Sequence, residues 1–420
     1  MSLPFLGKFQ WAKRVKDAAM QDVDGQPNWS RVMILCDTTS HTATGHPAAY
    51  VIQPSEDQAS ACDTMEIPDL VQALIDGYNV NFLANGQTGS GKTHTVFGPP
   101  TIDWASSASA PDYGFLPRAA LLIHERLQEM EATTGDTHVL TGAMLETGYA
   151  YLFDLLDNKK ICYLDQDHEV VGAQQVSLDS PSAILSFIAR VEDRSTKATG
   201  MNDTSSRTHC VVQLRLWRHN KKTGKVRSST LNVLDLAGAE RLSEAHEMYM
   251  DLGNATAAQK KSILEGMFNN FTLHTFDRLV LQIHDNMRRK RDPGAGVQFR
   301  VCCLTRVLRG SLCPDNAAIT SMVVPVSQNP ANWRPTKDAL ALGERISMLR
   351  MKPKRQRAVP LDRLVSQLER SLSEAKATLK RMKSSAMCAG GKTYKYTGIR
   401  EGEIRSGYPL LELLKGLSES

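Results

Sequence analysis

The feature that most restricts the fold is the octapeptide GQTGSGKT at residues 86–93, which follows the apolar run from Val80 to Ala84 and precedes HTVF. It fits the pattern G-x-x-x-x-G-K-[ST], with Gly89 as an additional glycine inside the loop. Backbone N–H groups must approach phosphate oxygens closely, which favours glycine at Gly86, Gly89 and Gly91, and Gln87, Thr88 and Ser90 complete the cradle. Lys92 supplies charge to the β- and γ-phosphates, and the Thr93 hydroxyl suits Mg2+. A strand feeding this loop and a helix leaving it make one αβ unit. The expected fold is therefore α/β, a P-loop NTPase with a central mixed β-sheet flanked by helices on both faces and a short C-terminal helix.

The chain of 420 residues is long enough for one large domain or two smaller ones. Its net charge of +5 is too weak a bias to imply nucleic acid without a localised patch, and no nucleic-acid partner is expected. The eight cysteines (Cys36, Cys62, Cys162, Cys210, Cys302, Cys303, Cys313, Cys388) form no C-x-x-C pair, so reduced thiols in a cytosolic protein are expected. The N-terminus lacks a signal peptide's pattern and no run of about 18 apolar residues occurs, so no membrane partner is expected.

Periodicity supplies the remaining elements. IPDLVQALIDG predicts a helix with Pro68 at its start, Leu70, Val71, Leu74 and Ile75 on one face and Gly77 past its end. HCVVQLRLWRH alternates Val212, Leu214 and Leu216 with Gln213 and Arg215 and, with STLNVLDLAG beyond the turn NKKTGK, predicts a hairpin. Helical spacing from Ile263 to Met287 makes Leu264, Met267, Phe271, Leu279 and Ile283 candidate core contacts. SSASAPDYG (106–114) is expected to be a surface loop. The basic stretch RMKPKRQR (350–357) is expected to close the globular domain. Leu361, Val365, Leu368, Leu372, Ala375, Leu379 and Met382 then fall at spacings of four and three, which suits either a coiled-coil seam or a helix docked on its own domain.

A phosphate cradle serves many machines, and two further motifs decide among them. NDTSSRTH (202–209) carries Asn202, Ser205, Ser206 and Arg207. DLAGAE (235–240) follows the strand residues Leu231, Val233 and Leu234, so Asp235 suits an acidic strand end holding Mg2+ through water, and Gly238 can offer its N–H to a γ-phosphate. Together the three motifs resemble the kinesin motor domain, which reads G-Q-T-G-S-G-K-T, N-x-x-S-S-R-S-H and D-L-A-G-x-E in this order. GFLPRA (114–119), MLETGYAYLFDLL (144–156), LTRVLRGSL (304–312) and ALALGERIS (339–347) echo the same family, and the resemblance covers roughly residues 60–350.

That resemblance implies ATP and Mg2+ as ligands, hydrolysis as the activity and microtubules as the partner. It implies Ser205 near the γ-phosphate and attacking water, Ser206 completing the Mg2+ shell with Thr93, and an ion pair between Arg207 and Glu240 that closes the two switches. It puts His94 against the adenine, Asn202 in the first switch network, and Asn269 or Asn270 on the helix after the second switch. The organisation it suggests is a motor domain over 1–350, a basic linker over 351–360, a helical segment over 361–383 and a tail over 384–420. A homodimer or a partner helix through 361–382 and a cytoplasmic, cytoskeletal setting, an axoneme among them, complete the expectation.

Departures from the family pattern carry information of their own. The base-cradling R-x-R-P has only RVKD (14–17) as a counterpart, which implies reduced adenine affinity. KKSI (260–263) stands for N-K-S-L, with Lys260 replacing the asparagine. FRVCCLTR (299–306) stands for Y-R-D-S-K-L-T-R and keeps Arg300, Leu304, Thr305 and Arg306 while losing an acid and a lysine, which alters the tubulin face. NMRRKRD (286–292) offers a basic run that compensates by attracting acidic tubulin tails. Finally, RMKPKRQRAVP has two prolines and no strand pattern where the family's neck linker docks as a strand, so stepping is in question. The alternatives to a motor are a non-motile, nucleotide-binding microtubule-associated protein and a small-molecule kinase.

Overall fold

The computed structural model describes residues 30–36, 50–52, 57–99, 102–104, 106–148, 151–165, 169–194, 208–238, 256–312, 318–326, 333–349, 353–385 and 392–419. Within them lies one mixed sheet of 12 strands. In chain order these are β1 (Ser30–Cys36), β2 (Tyr50–Ile52), β3 (Val80–Ala84), β4 (Thr137–Thr147), β5 (Leu152–Asp154), β6 (Lys160–Leu164), β7 (Val170–Val171), β8 (Val176–Ser177), β9 (His209–Asn220), β10 (Lys225–Asp235), β11 (Ile319–Val326) and β12 (Val359–Pro360). The spatial order is β2-β1-β11-β3-β10-β9-β4-β5-β6-β7, with β8 on β4 and β12 on β10. β3 lies parallel to both of its neighbours, β11 and β10, whereas β9 runs antiparallel to β10 and to β4.

All five residues of β3 are buried, as a central strand covered on both faces requires. One face is covered by helices α1 (Ile67–Ile75), α3 (Phe115–Thr134) and α4 (Pro181–Ala189). The other is covered by α5 (Ala257–Arg288) and α6 (Trp333–Ser347), and the short α2 (Lys92–Val96) leaves the glycine loop. This is the α/β arrangement expected from the sequence. Helix α1 buries Leu70, Val71, Leu74 and Ile75 as predicted, and Gly77 follows at φ +95°, a conformation that glycine adopts without strain.

A polar ladder crosses the middle of this apolar sheet. Gln213 on β9 donates to Asn232 on β10, Asn232 donates to Asn81 on β3, and Asn81 donates to Thr320 on β11, at 3.0, 3.0 and 3.2 Å. The same residues are direct partners in the strand register. A one-residue slip would bury these amides against apolar neighbours, so the ladder holds the register of the four strands that carry the site.

Three expectations need correction. On α5, Leu279 and Ile283 are core residues, but Leu264, Met267 and Phe271 are 49%, 38% and 43% exposed. The helix carries two apolar faces, and the one formed by Leu273, Phe276, Val280 and Ile283 meets the sheet. The segment 106–114 lies at the surface as expected, with Ala110, Pro111 and Asp112 exposed, but Ser107–Asp112 forms a 3-10 helix in place of a loop, and its end is tied down: Tyr113 is buried and Arg118 donates to the carbonyls of Ala110, Pro111 and Tyr113. The stretch after α6 does dock as a strand. Val359 and Pro360 pair antiparallel with Val226 and Lys225, Gln356 N–H donates to the Gly77 carbonyl at 2.7 Å, and Arg355 donates to the Asp76 carbonyl. Two paired residues are too short for a period-2 signal, and proline is tolerated because β12 is an edge strand.

Beyond the linker, α7 (Leu361–Ser385) and α8 (Lys392–Glu419) form a helical hairpin on the distal end of the sheet. Leu361, Leu414 and Leu417 are buried with Trp217 and Val226, and Leu364, Val365 and Leu368 pack against them. Leu372 and Ala375 are buried as well, Lys415 pairs with Glu369 at 2.8 Å, and the Lys376 ammonium sits 4.3 Å from the centre of the Tyr408 ring. The seam read from the heptad spacing is thus occupied within the chain from Leu361 to Ala375, while the side chain of Met382 lies outside the described residues. Glycines Gly172 and Gly402 allow α8 to touch the turn after β7: a Cβ on Gly402 would lie 3.2 Å from the Gly172 Cα. Arg405 Nε then donates to the Gly172 carbonyl at 2.8 Å.

Candidate nucleotide site

The glycine loop leaves the carboxyl end of β3 between the ends of β11 and β10, the position at which open α/β sheets bind ligands. Gly86 fits only as glycine, because a Cβ there would lie 2.5 Å from the Pro325 carbonyl oxygen and 2.7 Å from Ser90 Oγ. Gly89 and Gly91 have φ of +76° and +94°, and no atom lies within 4 Å of where their Cβ atoms would be. The loop therefore curls around open space with glycine at its turning points. Gln87 is buried and accepts from the Thr336 hydroxyl on α6 at 3.2 Å, which fixes the loop to the opposite wall. Thr88 and Ser90 are half-buried, and the Ser90 N–H donates to the Gln87 carbonyl.

Lys92 is only 6% exposed, and its ammonium donates to the loop's own carbonyls, those of Gly86 at 2.9 Å and Gln87 at 2.6 Å. A buried ammonium held by two carbonyls is positioned for an anion on the side that the loop encloses. One residue on, Thr93 donates to Asp235 Oδ2 at 2.8 Å. Asp235 ends β10 directly across from Ala84, so adjacent strand ends deliver the hydroxyl and the carboxylate together. His94 is exposed on α2, and its carbonyl accepts from Gln58. Gly238 is buried three residues beyond Asp235. Asn202, Ser205, Ser206, Arg207 and Glu240 lie outside the described residues.

Three partners of the site were not legible in the sequence. Arg194, 3% exposed, ends a 3-10 turn after α4 and donates to Asp235 Oδ2 at 2.9 Å and to the Thr208 carbonyl at 2.9 Å. Thr208 donates to Glu146 Oε1 at 2.5 Å, and Lys159 pairs with Glu146 Oε2 at 2.6 Å. Burial raises the Glu146 pKa, but the hydrogen bonds from Lys159 and Thr208 outweigh it and leave the carboxyl below its ordinary value. Arg194 and Asp235 stand 41 residues apart, a separation at which no local pattern signals contact. His209, at the start of β9, accepts from the Ala237 N–H through Nδ1 at 2.9 Å, and its Nε2 lies 2.8 Å from the Thr272 hydroxyl on α5, which donates to the Asn269 carbonyl. Burial, reinforced by the positive charges of Arg194 and Lys92, holds the ring neutral, with its pKa lowered to about 3. The side chains of 260–263 lie outside the described residues.

The site suits a nucleotide with Mg2+. Asp235 Oδ1 is buried and has no hydrogen-bond partner among the described residues, beside the Thr93 hydroxyl on the same carboxylate. Mg2+ retains waters and phosphate oxygens and needs only one or two protein oxygens, and no three-residue cluster of metal ligands occurs among the described residues. A phosphate cradle at the carboxyl end of a parallel strand, with an acidic neighbour strand and a buried lysine, defines a P-loop nucleotide-binding protein. Residues 23–349 match the sequence profile of the kinesin motor domain, and the chain belongs to that family.

The similarity is distributed across several relatives. Kinesin-like protein klpA of Emericella nidulans is 36% identical over 207 residues, covering 47% of this chain and 25% of that protein. Kinesin-like protein klp-3 of Caenorhabditis elegans is 28% identical over 325 residues, covering 76% of this chain and 48% of that protein. The chain thus spans about a quarter to a half of the length of these curated relatives. Among solved structures, the KIF14 dimer in a two-heads-bound state with AMP-PNP, in complex with a microtubule, superposes with a TM-score of 0.65 at 22% identity, covering 78% of this chain and 96% of that one. The motor domain of Kar3 from Saccharomyces cerevisiae superposes at 0.58 and 21% identity, covering 75% and 98%. At these identities the superpositions establish the shared fold.

Proposed function

We propose that this chain is the head of an ATP-hydrolysing, microtubule-binding kinesin of the cytoskeleton. The observation that carries the reading is the junction of Lys92, Thr93 and Asp235 at the ends of two adjacent parallel strands. Bound Mg2+ and ATP supply the transferable phosphoryl group and the divalent charge on its oxygens. Lys92 would stabilise charge on the β- and γ-phosphates, Thr93 and Ser206 would hold the ion with Asp235 acting through water, and the Gly238 N–H would meet the γ-phosphate. From their motif, Ser205 positions the attacking water, and the pair of Arg207 and Glu240 closes the switches. Asn202 belongs to the first switch, and His94 lies against the base.

Microtubule-stimulated ATP turnover tests this reading. Lys92→Ala is expected to abolish it, since no other cation among the described residues is held by the loop carbonyls; turnover close to that of the parent would sink the assignment.

A second reading, a nucleotide-binding microtubule protein that does not step, is favoured by one observation. The linker is paired to β10 and is followed by a hairpin seated on Trp217 and Val226, so its docking is reinforced from both ends. Single-molecule tracking separates the two: directed runs support a stepping motor, and ATP-sensitive binding without runs supports the fixed one.

A further inference from the structure

At the amino end of β3, away from the glycine loop, three arginines from separate elements converge where α1 ends. Arg218 on β9 and Arg227 on β10 are direct partners in the strand register, and Arg355 comes from the linker, where it pairs with Tyr78 as an antiparallel bridge. Arg218 donates to the Ile75 carbonyl at 3.1 Å and lies 3.6 Å from Asp136 Oδ2. Arg355 donates to the Asp76 carbonyl, and Arg227 Nε donates to the Gln356 carbonyl at 2.9 Å. Gly77 makes room for this crossing: at its φ of +95°, a Cβ would lie 2.1 Å from Arg227 Cδ.

A carbonyl fixes one edge of each guanidinium, and the remaining N–H groups form a planar, charged and pre-oriented fork. Among the described residues neither Arg227 nor Arg355 has a carboxylate within ion-pair distance. The one that Arg218 meets, Asp136, already accepts from the Asn220 side chain at 3.0 Å and from the Lys221 N–H at 3.3 Å. Burial, and after it the like charges of Arg355 and Arg218, hold the Arg227 pKa below its ordinary value against the pull of Asp76. A helix C-terminus attracts cations, which accounts for one contact each of Arg218 and Arg355, but Arg227 bonds the linker and not α1. Lys354 and Arg357, both exposed, extend the positive charge along the linker.

We propose that Arg218, Arg227 and Arg355 form a recognition site for a carboxylate-rich polypeptide segment, and that a segment bound there holds the linker docked. Like charges gathered without counter-charges are stabilised by an anion, and guanidinium forks meet a carboxylate through two N–H groups at once. Arg355 and the Gln356 carbonyl belong to the linker, so the site is complete only while the linker lies on β10. Binding and docking therefore favour each other by the same factor. A polypeptide fits better than other polyanions, because no exposed large apolar or aromatic side chain lies in 217–228 or 353–363. The surface thus offers neither a wedge for lipid nor a platform for a base.

The test is binding of a fluorescein-labelled decaglutamate peptide to the full chain by anisotropy, with amide hydrogen exchange of residues 353–361 followed in parallel. The parent is expected to bind the peptide less tightly as salt rises, and to exchange its linker amides about fivefold more slowly with the peptide bound. Arg227→Gln is expected to weaken binding about tenfold and to abolish the protection, and Arg227→Lys, which keeps the charge but lacks the fork, to stay about threefold or more below the parent. Arg218→Gln supplies a variant that bonds no linker atom and so leaves docking intact; it too is expected to weaken binding about fivefold or more. Lys221→Ala with Lys222→Ala, on the neighbouring turn, is expected to stay within about twofold of the parent. A parent that does not bind, a parent that binds without protecting its linker, an Arg218→Gln chain that binds as the parent does, or a Lys221 and Lys222 variant that loses as much as Arg218→Gln would each overturn the proposal. Protection of the linker by phosphatidylserine vesicles or duplex RNA, where the peptide gives none, would overturn the choice of a polypeptide. None of these outcomes depends on ATP turnover.

Discussion

Neutrality of His209 has a price in acid that the structure allows to be worked out. Its folded-state pKa of about 3 lies below the ordinary 6.5, so in the window between them the unfolded chain binds a proton that the folded chain refuses. Stability from this group is therefore complete above about pH 6.5 and declines as pH falls through the window. With those two values the linkage relation gives a loss of about 0.2 kcal/mol at pH 7 and about 2 kcal/mol at pH 5. His209→Gln removes the titrating group along with its hydrogen bonds, and the bond loss is the same at both pH values. Urea unfolding of parent and variant at pH 7 and pH 5 isolates the effect, because contributions from the other histidines cancel in the difference. The parent is expected to lose about 2 kcal/mol more than the variant between the two pH values. Equal losses would show that the ring is protonated in the folded protein, and with it the donor sequence through Thr272 would fail.

Other consequences are as direct. Arg194→Leu leaves the Asp235 carboxylate buried with the Thr93 hydroxyl as its remaining described partner, and is expected to cost about 3–5 kcal/mol in an unfolding titration; a cost below about 1 kcal/mol would show that the pair is not formed. Leu414→Ala, at a residue buried against Trp217 and Leu361, is expected to destabilise the docked hairpin by about 2–5 kcal/mol and to raise amide exchange across 392–419 while β3 remains protected. Replacing Arg288, Arg289, Lys290 and Arg291 with alanine is expected to weaken microtubule co-sedimentation most at low salt. Asp285 already pairs with Arg288 and Arg289, so Lys290→Ala with Arg291→Ala should reproduce most of that loss.

What the sequence revealed depended on whether a signal was local. The loop from Gly86 to Thr93, the face of α1 and the alternation along β9 each occupy a dozen residues or fewer, and each is found as expected. Asp235 was legible because it ends a run of strand residues. Arg194, Glu146 and Thr272 were not, since each acquires its role from a partner brought near by the sheet. The polar ladder from Gln213 to Thr320 escaped for the same reason, and single polar residues inside apolar strands resemble interruptions until their register is known. On α5 the pattern was visible but ambiguous, because two apolar faces satisfy helical spacing equally well and only the packed sheet distinguishes them. The two residues of β12 were too few for any periodicity, and their pairing depends on Lys225 and Val226 more than on their own composition.

The hairpin of α7 and α8 also sets the reach of this end of the chain. A straight helix of 25 residues reaches about 37 Å, so a head rotation of about 20° would carry its tip through about 13 Å. Here Leu361 at the root of the outgoing helix and Leu414 and Leu417 near the end of the returning one pack on the same Trp217 and Val226. The end of α8 thus stands about one helix diameter, ~10 Å, from where α7 began, and the same rotation moves it by about 3 Å. Folding the arm back exchanges reach for stiffness, with a short and well-packed crank in place of a long lever.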